Sequence, residues 1–206
     1  SVLQGQGKDA QAVRAYEQAL ALSSNVLIKT KLHSAMVRAG NSKEADARLA
    51  QWQKQSPGDA ALAMYVADTA LANKQYKEAI AQLEPLLQRA PNNPIVLNNL
   101  AWAYQQVKDP RALKTAERAL AGAGESPAVL DTLGTILVEQ GDHKRGLGYL
   151  QAAVAKSPTD ANIRFHLAQG LAKSGDKAAA RKELEQVIAS KGFARIEEAR
   201  ALQKTL

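Results

Sequence analysis

The three histidines are the side chains of this sequence best suited to chemistry, but their spacing argues against a shared site. His33, His143 and His166 lie far apart, none has a second histidine at the i,i+4 spacing of metal-binding helices, and no carboxylate pattern accompanies them. The adjacent Glu197 and Glu198 point in different directions on a helix, so they cannot act as a catalytic dyad. We therefore predict that the protein is not an enzyme and has no catalytic, cofactor or metal site.

Charge and apolar content limit the classes of partner. A net charge of +7 and an isoelectric point near 9.6 raise the question of whether the protein binds nucleic acid. However, basic and acidic residues alternate, as in "ARKELEQ", which is typical of a solvated helix surface rather than a phosphate-binding stripe. We predict no nucleic-acid partner. No apolar run approaches the roughly 20 residues that cross a bilayer, so no direct membrane insertion is expected and the chain as given should be soluble.

A repeat of helix pairs must position any functional side chain. Pro57 and Pro91 are 34 residues apart, and Pro91 and Pro158 are 67 apart, close to two further periods. Between these prolines, apolar helical patterns alternate with turn sequences such as "RAGNSKEA" and "EQGDHKRG". Only 4% of residues are aromatic against 46% hydrophobic, which favours closely packed helices over a sheet.

The pattern resembles the tetratricopeptide repeat (TPR), most clearly in Leu130, Leu133-Gly134, Leu137 and Leu150. The resemblance implies an all-α, right-handed α-solenoid of helix-turn-helix repeats closed by a C-terminal capping helix. The repeats are expected at residues 26–59, 60–93, 94–126 (one residue short), 127–160 and 161–192, after a partial repeat (second helix) at 1–25 and before a capping helix at 193–206, all in one solenoid domain.

Three further expectations concern particular positions. The chain is expected to begin inside a repeat, as a fragment of a longer array, with Val2 and Leu3 as the remnant of a preceding helix. The truncated edge would expose Val13, Tyr16 and Leu20, so self-association is expected there.

Gly146 replaces the usual alanine, and with Gly148 it predicts one of the softer helices. Trp52, at a second-helix packing position, is assigned to the core.

A narrower resemblance covers residues 91–206. The run "PNNPIVLNNLAWAYQQVKDPRALKTAERAL" and the closing "FARIEEARAL" are similar to the C-terminal part of the TPR-repeat lipoproteins of PEP-CTERM/exosortase sorting systems. That resemblance implies a lipid-anchored parent protein in the periplasm or at the outer membrane, in an assembly for exopolysaccharide production and protein sorting. It implies no enzymatic motif.

The TPR resemblance also implies a concave groove lined by the first helix of each repeat. The residues at its groove-facing positions are mostly apolar or amide, which favours a protein or peptide segment held by apolar anchors. The candidate contacts are Met64, Asp68, Leu71, Ile95, Asn98, Trp102, Gln105, Asp131, Thr135, Val138, Phe165 and Gln169. The lysine, asparagine and arginine clamp of co-chaperone TPR domains is absent from the matching positions, which hold residues such as Thr30 and Ser34.

Two interpretations remain open for the large side chains in this set. Trp102 either contacts a ligand or fills a seam between repeats, with equal weight, while seam packing is favoured for Met64 and Phe165. The function predicted is therefore a non-enzymatic protein-interaction scaffold. The alternatives are a structural spacer whose groove binds nothing and, with less support, nucleic-acid binding through the positive charge.

Overall fold

The computed structural model describes residues 2–206, with side chains from residue 8 onward. Over this range the chain is helical and contains no strand, as expected for the all-α class. The helices are α1 (Val2–Leu22), α2 (Val26–Arg38), α3 (Ser42–Gln55), α4 (Ala60–Ala72), α5 (Tyr76–Arg89), α6 (Pro94–Gln106), α7 (Ala112–Ala123), α8 (Pro127–Glu139), α9 (His143–Lys156), α10 (Ala161–Lys173), α11 (Lys177–Ala189) and α12 (Ile196–Thr205).

The first helix differs from the sequence-based expectation. α1 runs unbroken from Val2 to Leu22, so the prediction that Val2 and Leu3 belong to a separate preceding helix is wrong. The glycines of the "GQG" segment lower helix propensity by about 1 kcal/mol each, but unlike proline they neither remove a donor nor clash with the preceding turn.

The chain forms two compact units, residues 1–86 and 87–206, with the boundary inside α5. In the first unit, α2 packs against α1, α3 and α4. In the second unit, α6, α8 and α10 pair with α7, α9 and α11 in turn, and α12 packs against α11.

Short polar side chains and left-handed turns set the helix ends. Asp59, Asn93 and Asp160 each accept two backbone N–H hydrogen bonds in the first turn of α4, α6 and α10. Between paired helices the chain reverses through a residue with positive φ, for example Gly141 at +91°. Lys108 adopts φ +58° at another of these turns, without the freedom that glycine has there.

Side chains from the four helices α1, α2, α3 and α4 form the core of the first unit. Leu32, Met36, Ala45, Leu49, Trp52, Leu62 and Val66 form one buried cluster, which confirms Trp52 as a core residue. Val13, Tyr16 and Leu20 of α1 are partly buried against this cluster. Their apolar surface is therefore less open than the sequence suggests, because α2 covers part of it.

The second unit contains an unusually close helix contact between α8 and α9. A Cβ atom added at Gly146 would lie 2.8 Å from the Gly134 carbonyl oxygen and 2.7 Å from Cγ2 of Val138. A Cβ added at Gly134 would lie 2.8 Å from the Gly146 carbonyl oxygen. The interpretation of Gly146 as a softening substitution is therefore incomplete, because two facing glycines allow these helices to approach.

The last helix closes the second unit. Ala199 of α12 is buried in a cluster with Phe165, Ala168, Leu184 and Val187, and Ile196, Leu202 and Leu206 pack against that cluster. The segment between α11 and α12 contributes Phe193, whose ring lies 5.6 Å from that of Phe165. This segment thus brings aromatic and charged side chains onto α10.

Candidate functional site

Trp102 lies at the centre of a polar and aromatic cluster in the second unit. On α6, the buried side chains of Leu97, Leu100 and Tyr104 face the helix-pair core. Trp102 lies on a different face and is half-buried. Its ring centroid is 5.5 Å from that of His166 on α10, with the planes tilted by 34°. The indole thus reaches the first helix two repeats further along the chain and keeps part of its surface open.

Hydrogen bonds on both ring nitrogens hold the His166 imidazole in place. Nδ1 lies 2.8 Å from Oδ2 of Asp131 on α8, and Nε2 lies 3.2 Å from Nη1 of Arg195. A carboxylate only accepts and a guanidinium only donates. His166 is therefore the neutral tautomer in which Nδ1–H donates to Asp131 and Nε2 accepts from Arg195. We name Trp102, Asp131, His166 and Arg195 the inner-face cluster.

Arg195 attaches the end of the chain to this cluster. Its guanidinium lies 4.6 Å from the centre of the Phe165 ring and donates to Oε2 of Glu198 at 2.9 Å. Together with Phe193 it covers Phe165, which is only 1% exposed. Val138 is also buried, near Gly146. Phe165 and Val138, both named as candidate contacts, are thus buried by packing, which for Phe165 is the interpretation that the sequence favoured.

Burial perturbs the carboxyl group of the inner-face cluster. Desolvation by burial raises the pKa of Asp131 above its ordinary value, and the hydrogen bond from His166 opposes that rise without cancelling it. Asp131 is therefore a largely buried carboxyl group whose described partner is His166.

Two buried oxygen atoms of the second unit lack hydrogen-bond partners. Oδ1 of Asn98, one helical turn before Trp102, and Oγ1 of Thr135, one turn after Asp131, are buried and bond to no other described residue. Buried polar atoms without a partner are rare in folded proteins, because each has lost its hydration with nothing in exchange. Both side chains therefore carry an unsatisfied oxygen inside the second unit.

The remaining candidates of the second unit differ in exposure. Ile95 at the start of α6 is 63% exposed, and Gln105 and Gln169 are half-buried. Gln169 also lines a cleft of about 630 Å³ between α8, α10 and α12, together with Ala172, Leu202 and Leu206. Charged side chains of both signs also line this cleft, namely Glu139, Lys173, Lys177 and Glu198.

The first unit has its own inner-face positions. Met64 and Leu71 of α4 are half-buried, and Asp68 between them is exposed. Next to them, a cleft of about 290 Å³ is lined by Tyr16, Thr30, Lys31, Ser34, Arg38 and Tyr65.

Two of the three histidines have carboxylate neighbours that the sequence did not indicate. His166 contacts Asp131, and Nε2 of His33 lies 3.1 Å from Oδ1 of Asp46. The expectation that carboxylates are absent is wrong for both, because the partners come from other helices. Within residues 8–206, no group of three or more His, Cys, Asp or Glu side chains is arranged to hold a metal ion. None of the described helices has the length and apolarity to span a bilayer.

Sequence reasoning missed His166 and Arg195 as members of the site. A usable signal for His166 is present in the chain, since Asp131 and His166 are 35 residues apart and Glu139 and the ion-paired Lys173 are 34 apart. Polar pairs separated by about one repeat therefore meet across adjacent first helices. Arg195 has no such signal, because it lies in an irregular segment.

Comparisons with known families and structures agree with this architecture. One tetratricopeptide repeat family model matches residues 34–94 and 67–127, and another matches residues 137–204. No curated protein matches the chain in sequence.

Three solved structures illustrate the likeness. A tetratricopeptide repeat protein from Parabacteroides merdae is 16% identical, with 97% of this chain and 80% of that chain covered and a TM-score of 0.77. PilW, a type IV pilus biogenesis factor, is 18% identical, with 88% and 94% covered and a TM-score of 0.66. YrrB, a TPR protein with an unusual peptide-binding site, is 16% identical, with 94% and 100% covered and a TM-score of 0.57. At these identities the likeness concerns the fold alone, and it supports the α-solenoid class.

Proposed function

The chain belongs to the tetratricopeptide repeat family, and on that premise we propose that it is a non-enzymatic scaffold that binds a protein or peptide segment along the inner face of its second unit. The observation that carries this proposal is the half-buried Trp102, whose indole contacts His166 and keeps part of its surface open. An indole supplies a large apolar contact of the kind that anchors a bound segment. YrrB, with its own peptide-binding site, supports the same use of the fold.

Trp102→Ala is expected to weaken peptide binding about 30-fold, the effect of removing an interfacial hot spot. The measurement is calorimetric titration of the intact chain with peptides selected from a random display library. Leu22→Ala, which removes an 89% exposed side chain from the first unit, is the matched control and should leave the affinity unchanged.

Thr135→Val provides a control at a buried position. Valine has a similar shape without the unpartnered oxygen, so the chain should be slightly more stable, while peptide affinity should not change because that oxygen is buried. If no peptide is selected, or if Trp102→Ala and Leu22→Ala bind equally well, the groove is unused and the spacer function is favoured.

We propose a bacterial envelope assembly as the setting of this scaffold. The support is the resemblance of residues 91–206 to the TPR lipoproteins of PEP-CTERM/exosortase systems and the likeness to PilW, a pilus biogenesis factor. Fractionation of cells that express the tagged native protein should place it with the envelope. Recovery in the cytosol alone would contradict this setting.

Self-association through α1 remains a separate prediction. Val13, Tyr16 and Leu20 are only partly buried, and Leu22 at the end of α1 is 89% exposed. The mass measured by light scattering should therefore rise with concentration, and Leu22→Ser should reduce that rise. Ile95→Ser, which removes an exposed apolar side chain from the second unit, is the control. A constant monomer mass at all concentrations would contradict the prediction.

A further inference from the structure

We propose that the cleft between α8, α10 and α12 in the second unit binds a medium-chain fatty acid, with the alkyl chain along the cleft and the carboxylate at Lys177. The cleft has a volume of about 630 Å³. That volume lies within the range of about 300–1,000 Å³ that is usual for small-molecule sites. Trp102 does not line the cleft, so the proposal is independent of peptide binding at that residue.

Two helical stripes of equal length form the long walls of the cleft. The lining residues lie between Phe165 and Lys173 on α10 and between Glu198 and Leu206 on α12. Each stripe is a little over two helical turns, or about 12 Å, long. A straight alkyl chain advances about 1.25 Å per bond, given C–C bonds of about 1.5 Å and angles of about 111°. A chain of about ten carbon atoms therefore matches the walls.

The uncharged lining of the cleft offers few partners for a polar ligand. Most of these residues are apolar, namely Phe165, Ala172, Ala201, Leu202 and Leu206. Of the two polar ones, Thr205 already donates from Oγ1 to the Leu202 carbonyl oxygen, which leaves the amide of Gln169. The central part of the cleft is therefore suited to a ligand that makes no hydrogen bonds along its length.

An alkyl chain meets this condition better than a peptide does. An extended peptide carries a backbone N–H and C=O at nearly every residue, and these groups lose their hydration when apolar walls cover them. A helical peptide satisfies its own backbone. However, walls of about two turns are shorter than the roughly 12–15 residues below which isolated helices are marginal in water.

The charges that line the cleft leave one cation for a ligand. Lys173 pairs with Glu139, and Nη2 of Arg195 lies 2.9 Å from Oε2 of Glu198. Lys177, the first residue of α11, is exposed and forms no ion pair with the side chains described from residue 8 onward. A single free ammonium group complements a monoanion such as a carboxylate.

The two ends of the cleft fix the direction of the ligand. At one end, Arg195 lies over the Phe165 ring and donates to Glu198, so its charge is already used. Lys177 lies at the other end, because it follows the short turn after Lys173 at the end of α10. The methyl end of the fatty acid therefore points toward Phe165 and the carboxylate toward Lys177.

The test is calorimetric titration of the full chain with decanoate below its micelle concentration. The comparison probes are hexanoate, decylamine and N-acetyl-trileucine amide. We expect saturable binding of decanoate, tighter than that of hexanoate by up to about four-fold per additional methylene group. Decylamine should bind about ten-fold more weakly than decanoate, because its ammonium group would face Lys177. No saturable decanoate binding, or tighter binding of decylamine or of the peptide, would overturn the proposal.

Matched surface variants separate the cleft from general detergent-like binding. Ala201→Trp fills the cleft from α12 and should abolish decanoate binding, while Ala155→Trp, at an exposed position of α9 outside the cleft, should not. Lys177→Gln should weaken decanoate binding about ten-fold, while Lys182→Gln, which removes an exposed lysine of the same helix, should not. All four positions except the cleft-lining pair are remote from the site, and none is buried, so the fold should persist. Equal binding within either pair would refute the assignment.

Discussion

Gly146→Ala is expected to destabilise the second unit by about 1–2 kcal/mol, although alanine is the better helix former. The added methyl would lie 2.8 Å from the Gly134 carbonyl oxygen and from the Val138 backbone nitrogen, so α8 and α9 would have to separate. Overpacking of this kind costs about 1–3 kcal/mol, which outweighs the gain of about 0.5–1 kcal/mol in helix propensity.

Gly148 provides the control within the same helix. A Cβ added there would meet no other atom within 4 Å, so Gly148→Ala should stabilise α9 by about 0.5–1 kcal/mol. Because repeat arrays unfold by parts, the measurement should report on the second unit alone. Denaturant unfolding followed by Trp102 fluorescence in a Trp52→Phe background meets that need, and equal shifts for the two variants would contradict the steric argument.

The helical fold could be predicted from the sequence because the residues that mark helix ends act locally and recur in each repeat. Pro57, Pro91 and Pro158 mark helix ends at multiples of one period, and Asp59, Asn93 and Asp160 cap the helices that follow. Each signal acts within a few residues, and repetition separates it from chance. The role of Gly146 could not be predicted in the same way, because the atoms that it contacts belong to another helix, α8.

The inner-face cluster was only partly predictable for the same physical reason. Helical periodicity places Trp102 away from the face of Leu97 and Leu100, but periodicity does not reveal what its indole meets. Its neighbour His166 is 64 residues away in sequence, and Arg195 comes from an irregular segment. Burial of Phe165 likewise depends on Phe193, which lies outside the repeats. Tertiary contacts therefore decide which inner-face side chains stay open.

His166→Ala is expected to destabilise the second unit by about 2 kcal/mol at neutral pH, because it leaves the buried Asp131 carboxylate without its donor. The side chains of the pair are only 10% and 12% exposed, so water replaces the lost hydrogen bond poorly. Arg195 also loses an acceptor, but its side chain is 31% exposed and retains Glu198. The loss should therefore arise mainly at Asp131.

Asp131→Asn distinguishes this mechanism from simple loss of packing. The amide oxygen of asparagine still accepts from Nδ1–H of His166 without the desolvated charge, so the single variant should be as stable as the parent at neutral pH or more so. Combined with His166→Ala, it should recover part of the lost stability. A double variant as unstable as His166→Ala would assign the loss to packing against Trp102 instead.

The pH dependence follows from the raised pKa of Asp131. A carboxyl group whose pKa is higher in the folded chain contributes most to the free energy of unfolding below its ordinary value of 3.8. That contribution declines as pH rises through the raised pKa of the folded state. Asp131→Asn lacks this titration, so its stability relative to the parent should increase over the same interval. In His166→Ala the opposing hydrogen bond is gone, the pKa of Asp131 rises further, and destabilisation should grow with pH. A pH-independent loss would show that the charge of Asp131 is not its cause.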